Sequence, residues 1–237
     1  MNYVFFYIGL DVEQPEMAAR SIKAIDPNSK IIQLTDYSTP ECKNADECIR
    51  YELDKDKLML SKLKAYAEYP VDEPTVYIDT DMIAVKSMQS FKPLKSITVC
   101  KRSFDKRALI NEDHISKFNY ESKRVGQFDI NSLINKRIDE VMPYLACFTV
   151  VNNNEFWSKC LNYLMTLDRS FHIWYGDQLA IKQVVETYPQ NDICEIQESA
   201  SSCPSYAYEK SSEAFFIHFK GELGKQVMKR FVQKYYV

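Results

Sequence analysis

The chain has 237 residues, 46% of them hydrophobic and 13% aromatic, enough apolar material for one large domain or two small ones with a packed core. Its 30 Lys and Arg against 33 Asp and Glu leave a formal charge of −3, so no excess of base advertises a polyanionic partner, and nucleic acid is not expected. The 7 cysteines are scattered without a C-x-x-C pair, which argues against structural zinc and reads as reduced packing residues of a cytoplasmic protein.

The opening "MNYVFFYIGL" lacks a basic leader and is too short to span a bilayer, so it reads as a first strand rather than a signal peptide. The continuous apolar run from Tyr3 to Leu10 fits a strand covered on both faces. From Gln14 to Ile25 the positions Met17, Ala18, Ser21, Ile22 and Ile25 recur at helical spacing, and Pro15 suits a first turn. "KIIQLTD" gives a second strand. "DKLMLSKLKAYAEYP" reads as a helix with Leu60, Leu63 and Ala67 near one face and Pro70 forbidding continuation, and it feeds a third strand, "TVYID".

Beyond a probe of apolar residues in "KSITVC", which reads as a strand, residues 101 to 130 are polar and aperiodic and predict loop and short helix. "LACFTVV" then predicts a strand, "NEFWSKCLNYLMTL" and "DQLAIKQVVETY" helices, "AFFIHF" a strand, and a basic, aromatic helix runs from about Leu223. Strands alternating with helices predict an α/β fold with a mainly parallel central sheet flanked by helices. With no internal repeat and no Gly/Ser linker, the economical reading is a single domain over 1–237.

The segment "VYIDTDMIAV" breaks an apolar run with Asp79 and Asp81. Side chains at i and i+2 of an extended segment point the same way, so these acids address one target while Thr80 faces away. Two such carboxylates repel unless a cation lies between them, and carboxylate oxygens suit hard ions such as Mg²⁺ and Mn²⁺. An isolated D-x-D more often starts a turn. Its place at the carboxyl end of a strand, where ligands bind in parallel sheets, sets the metal reading level with the turn reading.

The stretch "LSKLKAYAEYPVDEPTVYIDTDMIAVKSMQSF" resembles the nucleotide-sugar site of GT-A glycosyltransferases, especially glycosyltransferase family 8, the glycogenin-like and bacterial galactosyltransferase-like group. "VFFYIGLD", "GDQLAIKQV" and "IHFKGELGK" agree in order and approximate spacing, so the likeness touches nearly the whole chain. The resemblance implies a GT-A fold, with 1–100 as a nucleotide-sugar-binding half and 101–237 as an acceptor half ending in a metal and phosphate motif. It implies Asp79 on the ribose and metal, Asp81 as a metal ligand, and His218 as the late metal-binding histidine of an H-[FY]-x-G motif.

By the same likeness Lys62 would reach the donor phosphates or sugar, and Tyr7, Ile8, Gly9 and Asp11 would hold the base, expected to be uracil. Lys220, Gly221 and Lys225 would serve the diphosphate, and Asp177 with Gln178 would stand beside the donor sugar and acceptor. Without it, Lys62 is a solvated helix lysine, Asp11 a helix cap, and "GDQ" a helix start with Asp177 as cap and Gly176 in the preceding loop. Imidazole suits Mn²⁺ better than Mg²⁺, so Asp79, Asp81 and His218 together favour manganese.

Two departures stand out. Leu145 and Cys147 occupy the places of the family's N-x-G element, and Gly224 stands where its terminal Lys is common, with Lys225 one position later. The implied activity is transfer of a sugar from a UDP-sugar to a hydroxyl of a glycan, lipid-linked or protein acceptor, with retention of anomeric configuration. A sugar-1-phosphate nucleotidyltransferase would want a Gly-rich basic loop after the first strand, and "GLDVEQPEM" has one Gly and no base. A non-catalytic nucleotide-sugar-binding protein is the other alternative. The Lys- and Arg-bearing C-terminal helix reads either as a solvated face or as a peripheral contact with an inner membrane surface.

Overall fold

The computed structural model describes residues 1–89, 91, 95–104, 109–110, 133–167, 169–210 and 213–236. Most of the stretch 101–130, expected to be loop and short helix, lies outside the described residues. In chain order the elements are β1 (Asn2–Phe6), α1 (Glu13–Ile25), β2 (Lys30–Thr35), β3 (Glu47–Arg50), α2 (Leu58–Glu68), β4 (Thr75–Ile78), β5 (Met82–Ala84) and β6 (Ile97–Lys101). Then follow α3 (Ile138–Val141), β7 (Tyr144–Val151), α4 (Glu155–Thr166), α5 (Arg169–Ile173), α6 (Gly176–Thr187), β8 (Ile193–Gln197), α7 (Glu198–Ser201), β9 (Cys203–Pro204), β10 (Phe216–His218) and α8 (Gly221–Tyr235).

A seven-stranded sheet runs in the order β3-β2-β1-β4-β7-β6-β8. β1 pairs in parallel with β2 and β4, β2 with β3, and β6 with β8, whereas β7 runs against both β4 and β6. The mainly parallel sheet expected from the sequence is thus present, with one reversed strand at its centre. A three-stranded sheet, β5-β10-β9, lies beyond the end of β4.

The side-chain period of two distributes β1 between two cores. Val4 and Phe6 face one cluster with Leu63 and Tyr66 of α2, Trp157 of α4 and Ile181 of α6. Tyr3 and Phe5 face the other, with Ala19 and Ile22 of α1. This is why the strand reads as an unbroken apolar run. In the first layer the ring centroids of Tyr66, Tyr77 and Trp157 lie 4.6, 4.9 and 5.1 Å apart, within the range of favourable aromatic contact.

β1 ends at Phe6, earlier than its apolar run suggests, because Tyr7 to Leu10 leave the sheet for a loop. That loop is anchored by its neighbours: Thr35 Oγ1 donates to Tyr7 O at 2.6 Å and Gly9 N donates to Thr39 Oγ1 at 3.0 Å. The strands β3, β5, β8 and β9 have no counterpart in the sequence reading. β3 is half-exposed throughout, β8 lies at the sheet edge, and β5 and β9 are short, so none carries a strong apolar pattern.

Thr39 is in turn placed by Asp36, which follows β2 directly. The buried Asp36 carboxylate accepts Thr39 N at 2.8 Å, Thr39 Oγ1 at 2.6 Å and Ser38 Oγ at 2.8 Å. Arg50 Nη1 closes the turn from outside, donating to Asp36 O and Thr39 O at 2.8 Å each. Burial alone would raise the Asp36 pKa, but the donors on Thr39 and Ser38 outweigh it and bring it down to about 2. A carboxylate with a folded pKa below its ordinary 3.8 stabilises the fold above that value and loses its contribution as the pH falls toward 2. Asp36→Asn should therefore cost about 1–2 kcal/mol in urea unfolding at neutral pH, and the difference from the parent chain should shrink between about pH 4 and 2.

Candidate active site

β4 delivers Asp79 and Asp81 to the carboxyl end of the sheet. Its ladder with β7 closes at Ile78 opposite Phe148 and gains one more bond, Asp79 N to Cys147 O at 3.0 Å, before the chain turns into β5. β5 then pairs antiparallel with β10, Met82 opposite His218, and Phe219 N donates to Asp81 O at 2.9 Å. The small sheet thereby sets His218 beside Asp81, with Nε2 3.2 Å from Oδ1. Asp79, Asp81 and His218 each offer a ligand atom, all within 4.8 Å of one another. Thr80 faces the other way and accepts Gln14 Nε2 of α1 at 2.8 Å.

Lys62 enters from α2 and is 6% exposed, the opposite of a solvated helix lysine. Its Nζ lies 2.8 Å from Asp79 Oδ1 and 3.3 Å from Asp177 Oδ2. Burial opposes its charge, but Asp79 and Asp177 outweigh burial and hold the ammonium above its ordinary pKa. Burial, with repulsion from Asp81, raises the Asp79 pKa despite Lys62. At Asp81 burial acts upward as well, and the His218 cation overcomes it to keep the carboxyl low. Reciprocally, burial disfavours the imidazolium, and Asp81 overrides it to lift the His218 pKa to about 10.

α6 brings Asp177 and Gln178. The helix begins at Gly176, with Tyr175 in the cap position at φ 58°, so Asp177 lies inside the first turn rather than capping it, and Gly176 is helical rather than in the loop. Glycine is required at 176 because a Cβ there would meet Phe171 O at 2.1 Å. Asp177 is buried and divides its oxygens between Lys62 and Gln178 N, the latter at 2.8 Å from Oδ1. Gln178 Oε1 accepts Arg102 Nη2 at 2.9 Å.

Arg102 and Glu198 have no part in the sequence reading. Arg102 is buried just beyond β6, where its Nε also donates to Met142 O at 3.0 Å. Glu198, fully buried at the start of α7, accepts Ser103 N at 3.1 Å, Phe104 N at 3.0 Å and Lys220 Nζ at 2.8 Å. Neither belongs to a motif; the one signal available was a charged residue after an apolar strand, for Arg102 beyond β6.

The C-terminal motif wraps this centre from two sides. Lys220 precedes α8 and is tied to Glu198, on the side of Arg102 and Cys147. α8 begins at Gly221, two residues earlier than expected, and Gly221 takes φ +73°, a conformation that favours glycine. A Cβ on Gly224 would lie 2.5 Å from the carbonyl of Phe219, so the helix is packed too closely for a lysine at that position. Lys225 pairs with Glu222 at 2.8 Å and is close enough to Tyr7 to lower its pKa against the dominant effect of burial. It thus faces the β1–α1 loop.

In that loop Tyr7 and Gly9 are half-buried, Ile8 packs against the core, and Asp11 is exposed and accepts Glu13 N at 2.9 Å from one place before the cap position, which Val12 holds instead. The structure brings together Asp79, Asp81, His218, Lys62 and Asp177, with Gln178 next to Asp177. Lys220 and Lys225 stand apart from each other, each engaged by its own glutamate. Of the two departures on β7, Leu145 is packed in the core and Cys147 lies beside His218, its Sγ 3.3 Å from Ser202 Oγ.

No protein-family model matches the chain, and no curated protein matches it either. Solved structures do. The galactosyltransferase LgtC, in complex with donor and acceptor sugar analogues, superposes with a TM-score of 0.59 at 12% identity over 98% of this chain and 94% of that one. A glycosyltransferase involved in the glycosylation of the major capsid of PBCV-1 gives 0.56 at 10% over 96% and 98%. A putative glucose-1-phosphate thymidylyltransferase from Bacillus anthracis, in complex with a sucrose, gives 0.54 at 10% over 98% and 95%. The chain therefore shares the α/β fold of these solved structures, in agreement with the fold that its resemblance to GT-A glycosyltransferases implies.

Removing Lys62 would leave Asp177 buried without its counter-charge. Lys62→Met should destabilise the protein by about 3 kcal/mol in urea unfolding, and the added change Asp177→Asn should recover part of that loss.

Proposed function

We propose that this chain is a metal-dependent glycosyltransferase that moves a sugar from a nucleotide-diphosphate sugar, a UDP-sugar, to a hydroxyl of a glycan, lipid-linked or protein acceptor. The observation that carries the proposal is the meeting of Asp79, Asp81 and His218 within 4.8 Å at a strand end, with Lys62 and Asp177 joined to the same cluster. Residues 1–100 would bind the donor and 101–237 the acceptor, within one domain.

Two carboxylates and an imidazole fit a divalent cation, and the mixed O/N set favours Mn²⁺ over Mg²⁺. When bound, the ion would neutralise charge developing on the departing diphosphate. Around it, Tyr7, Ile8, Gly9 and Asp11 would receive the base, and Asp79 would also reach the ribose. Lys225, on the side of that loop, and Lys220 with Gly221, at the start of α8, would approach the diphosphate from opposite sides. Lys62, neutralised by its two acids, would hold them in place and add charge to the same end of the donor.

Both oxygens of Asp177 are engaged, one by Lys62 and one by Gln178 N. That favours an electrostatic role beside a cationic sugar, with Gln178, over service as a free general base, and so favours retention of configuration. The N-terminal loop, with its one glycine and no base, weighs against the nucleotidyltransferase reading despite the shared fold. No helix among the described residues is long and apolar enough to cross a membrane. On α8, exposed Leu223 and Val227 stand among Lys225, Lys229 and Arg230, a composition that supports peripheral contact with an anionic inner membrane surface from the cytoplasm.

The test is thermal stability with a panel of nucleotide sugars, with and without Mn²⁺, followed by donor hydrolysis and transfer. One donor should raise the melting temperature only with metal. Asp81→Ala should abolish that shift, whereas Asp177→Asn should keep it and lose turnover by about 100-fold. Metal-dependent stabilisation with no turnover on any acceptor would mark a non-catalytic binding protein, and pyrophosphate release from a nucleoside triphosphate and a sugar 1-phosphate would mark the nucleotidyltransferase.

A further inference from the structure

The guanidinium of Arg102 settles a question that an amide side chain normally leaves open. Arg102 is 8% exposed and donates through Nε to Met142 O at 3.0 Å and through Nη2 to Gln178 Oε1 at 2.9 Å. Its backbone is fixed as well, since Arg102 N donates to Pro143 O at 2.8 Å. A guanidinium has only donors, so the atom of the Gln178 amide that meets it must be the oxygen, and the –NH₂ must point away. The oxygen and nitrogen of the amide cannot exchange places without setting two donors against each other.

The other end of this contact is equally constrained. Gln178 follows Asp177 in the first turn of α6, and its backbone N–H is held by Asp177 Oδ1 at 2.8 Å. Gln178 is half-buried, and among the described residues its Nε2 has no hydrogen-bond acceptor. Arg102 is itself without a carboxylate partner among the described residues, and the like charge of Lys220 is near enough to interact with it. A buried cation with no acid spends its hydrogen bonds on two neutral oxygens, one from the backbone and one from this amide.

We infer that Arg102 is a positioning residue that locks the Gln178 amide with its oxygen turned toward the guanidinium, so that Gln178 meets the donor sugar as a hydrogen-bond donor through Nε2. This rests on the transferase reading for the identity of the partner, a sugar hydroxyl or a departing phosphate oxygen, both of which accept. The orientation of the amide does not rest on it.

Three variants and two readouts test this. Gln178→Glu keeps the contact, since both carboxylate oxygens accept from Arg102, but removes the N–H; it should fold with unchanged or raised melting temperature, keep metal-dependent donor stabilisation, and lose about 100-fold in kcat. Arg102→Met frees the amide to rotate and should lower kcat about 10-fold with the donor KM little changed, while Arg102→Lys, again a pure donor, should recover part of that loss. In the free protein the Gln178 side-chain amide should give one sharp pair of ¹H–¹⁵N signals that Arg102→Met shifts or broadens. Turnover of Gln178→Glu within about twofold of the parent would overturn the donor role, and an unmoved amide signal in Arg102→Met would overturn the lock. If no nucleotide sugar stabilises the parent chain, the transferase reading fails, and the amide signal still decides the lock.

Discussion

One buried ammonium organises this site. Lys62 of α2 reaches Asp79 beyond β4 and Asp177 in the first turn of α6, so a single charge ties two helices to the end of a strand. Asp177 could not be buried beside the half-exposed Asp79 without it, and its own burial is tolerable only because the two acids are there. α2, α4 and α6 pack together around Tyr66 and Trp157, which fixes the depth from which Lys62 and Asp177 approach. The aromatic layer and the ion cluster are therefore one construction, apolar below and charged above.

The same logic recurs at smaller scale around the centre. His218 balances Asp81, Lys220 balances the buried Glu198, and Lys225 and Lys229 are held by Glu222 and Glu13. Each cation that the sequence offers for a phosphate already has a carboxylate at hand. The diphosphate of the proposed donor would compete with internal acids for donors that are pre-placed, an arrangement that positions charge without leaving it bare.

Much of this was legible in the sequence because it rests on local patterns. Apolar periodicity marked β1, β2, β4, β7 and the long helices, and D-x-D at a strand end followed by H-F-K-G near the C-terminus marked the cluster that the second sheet assembles. What was not legible depends on partners distant in sequence. Glu198 and Arg102 are ordinary charged residues until folding places one against Lys220 and the other against Gln178. Likewise Gly224 is only a missing lysine until the carbonyl of Phe219 is seen where a side chain would be. The short strands β5 and β9 are too brief to carry a period, yet β5 sets the register that brings His218 to Asp81.

That second sheet has a core of its own. Ile83 of β5, Ile217 of β10 and Phe219 pack with Met228 and Val232 of α8, apart from the two clusters that flank the main sheet. Tyr236, just past α8, donates its hydroxyl to Ala84 O at the end of β5. The C-terminal helix is thus a buttress for the strand pair beside Asp81 and His218. Cohesion of the acid–imidazole pair is set by the seating of a terminal helix, so whatever presses on or loosens that helix from outside reaches the pair through this packing and the Tyr236–Ala84 hydrogen bond.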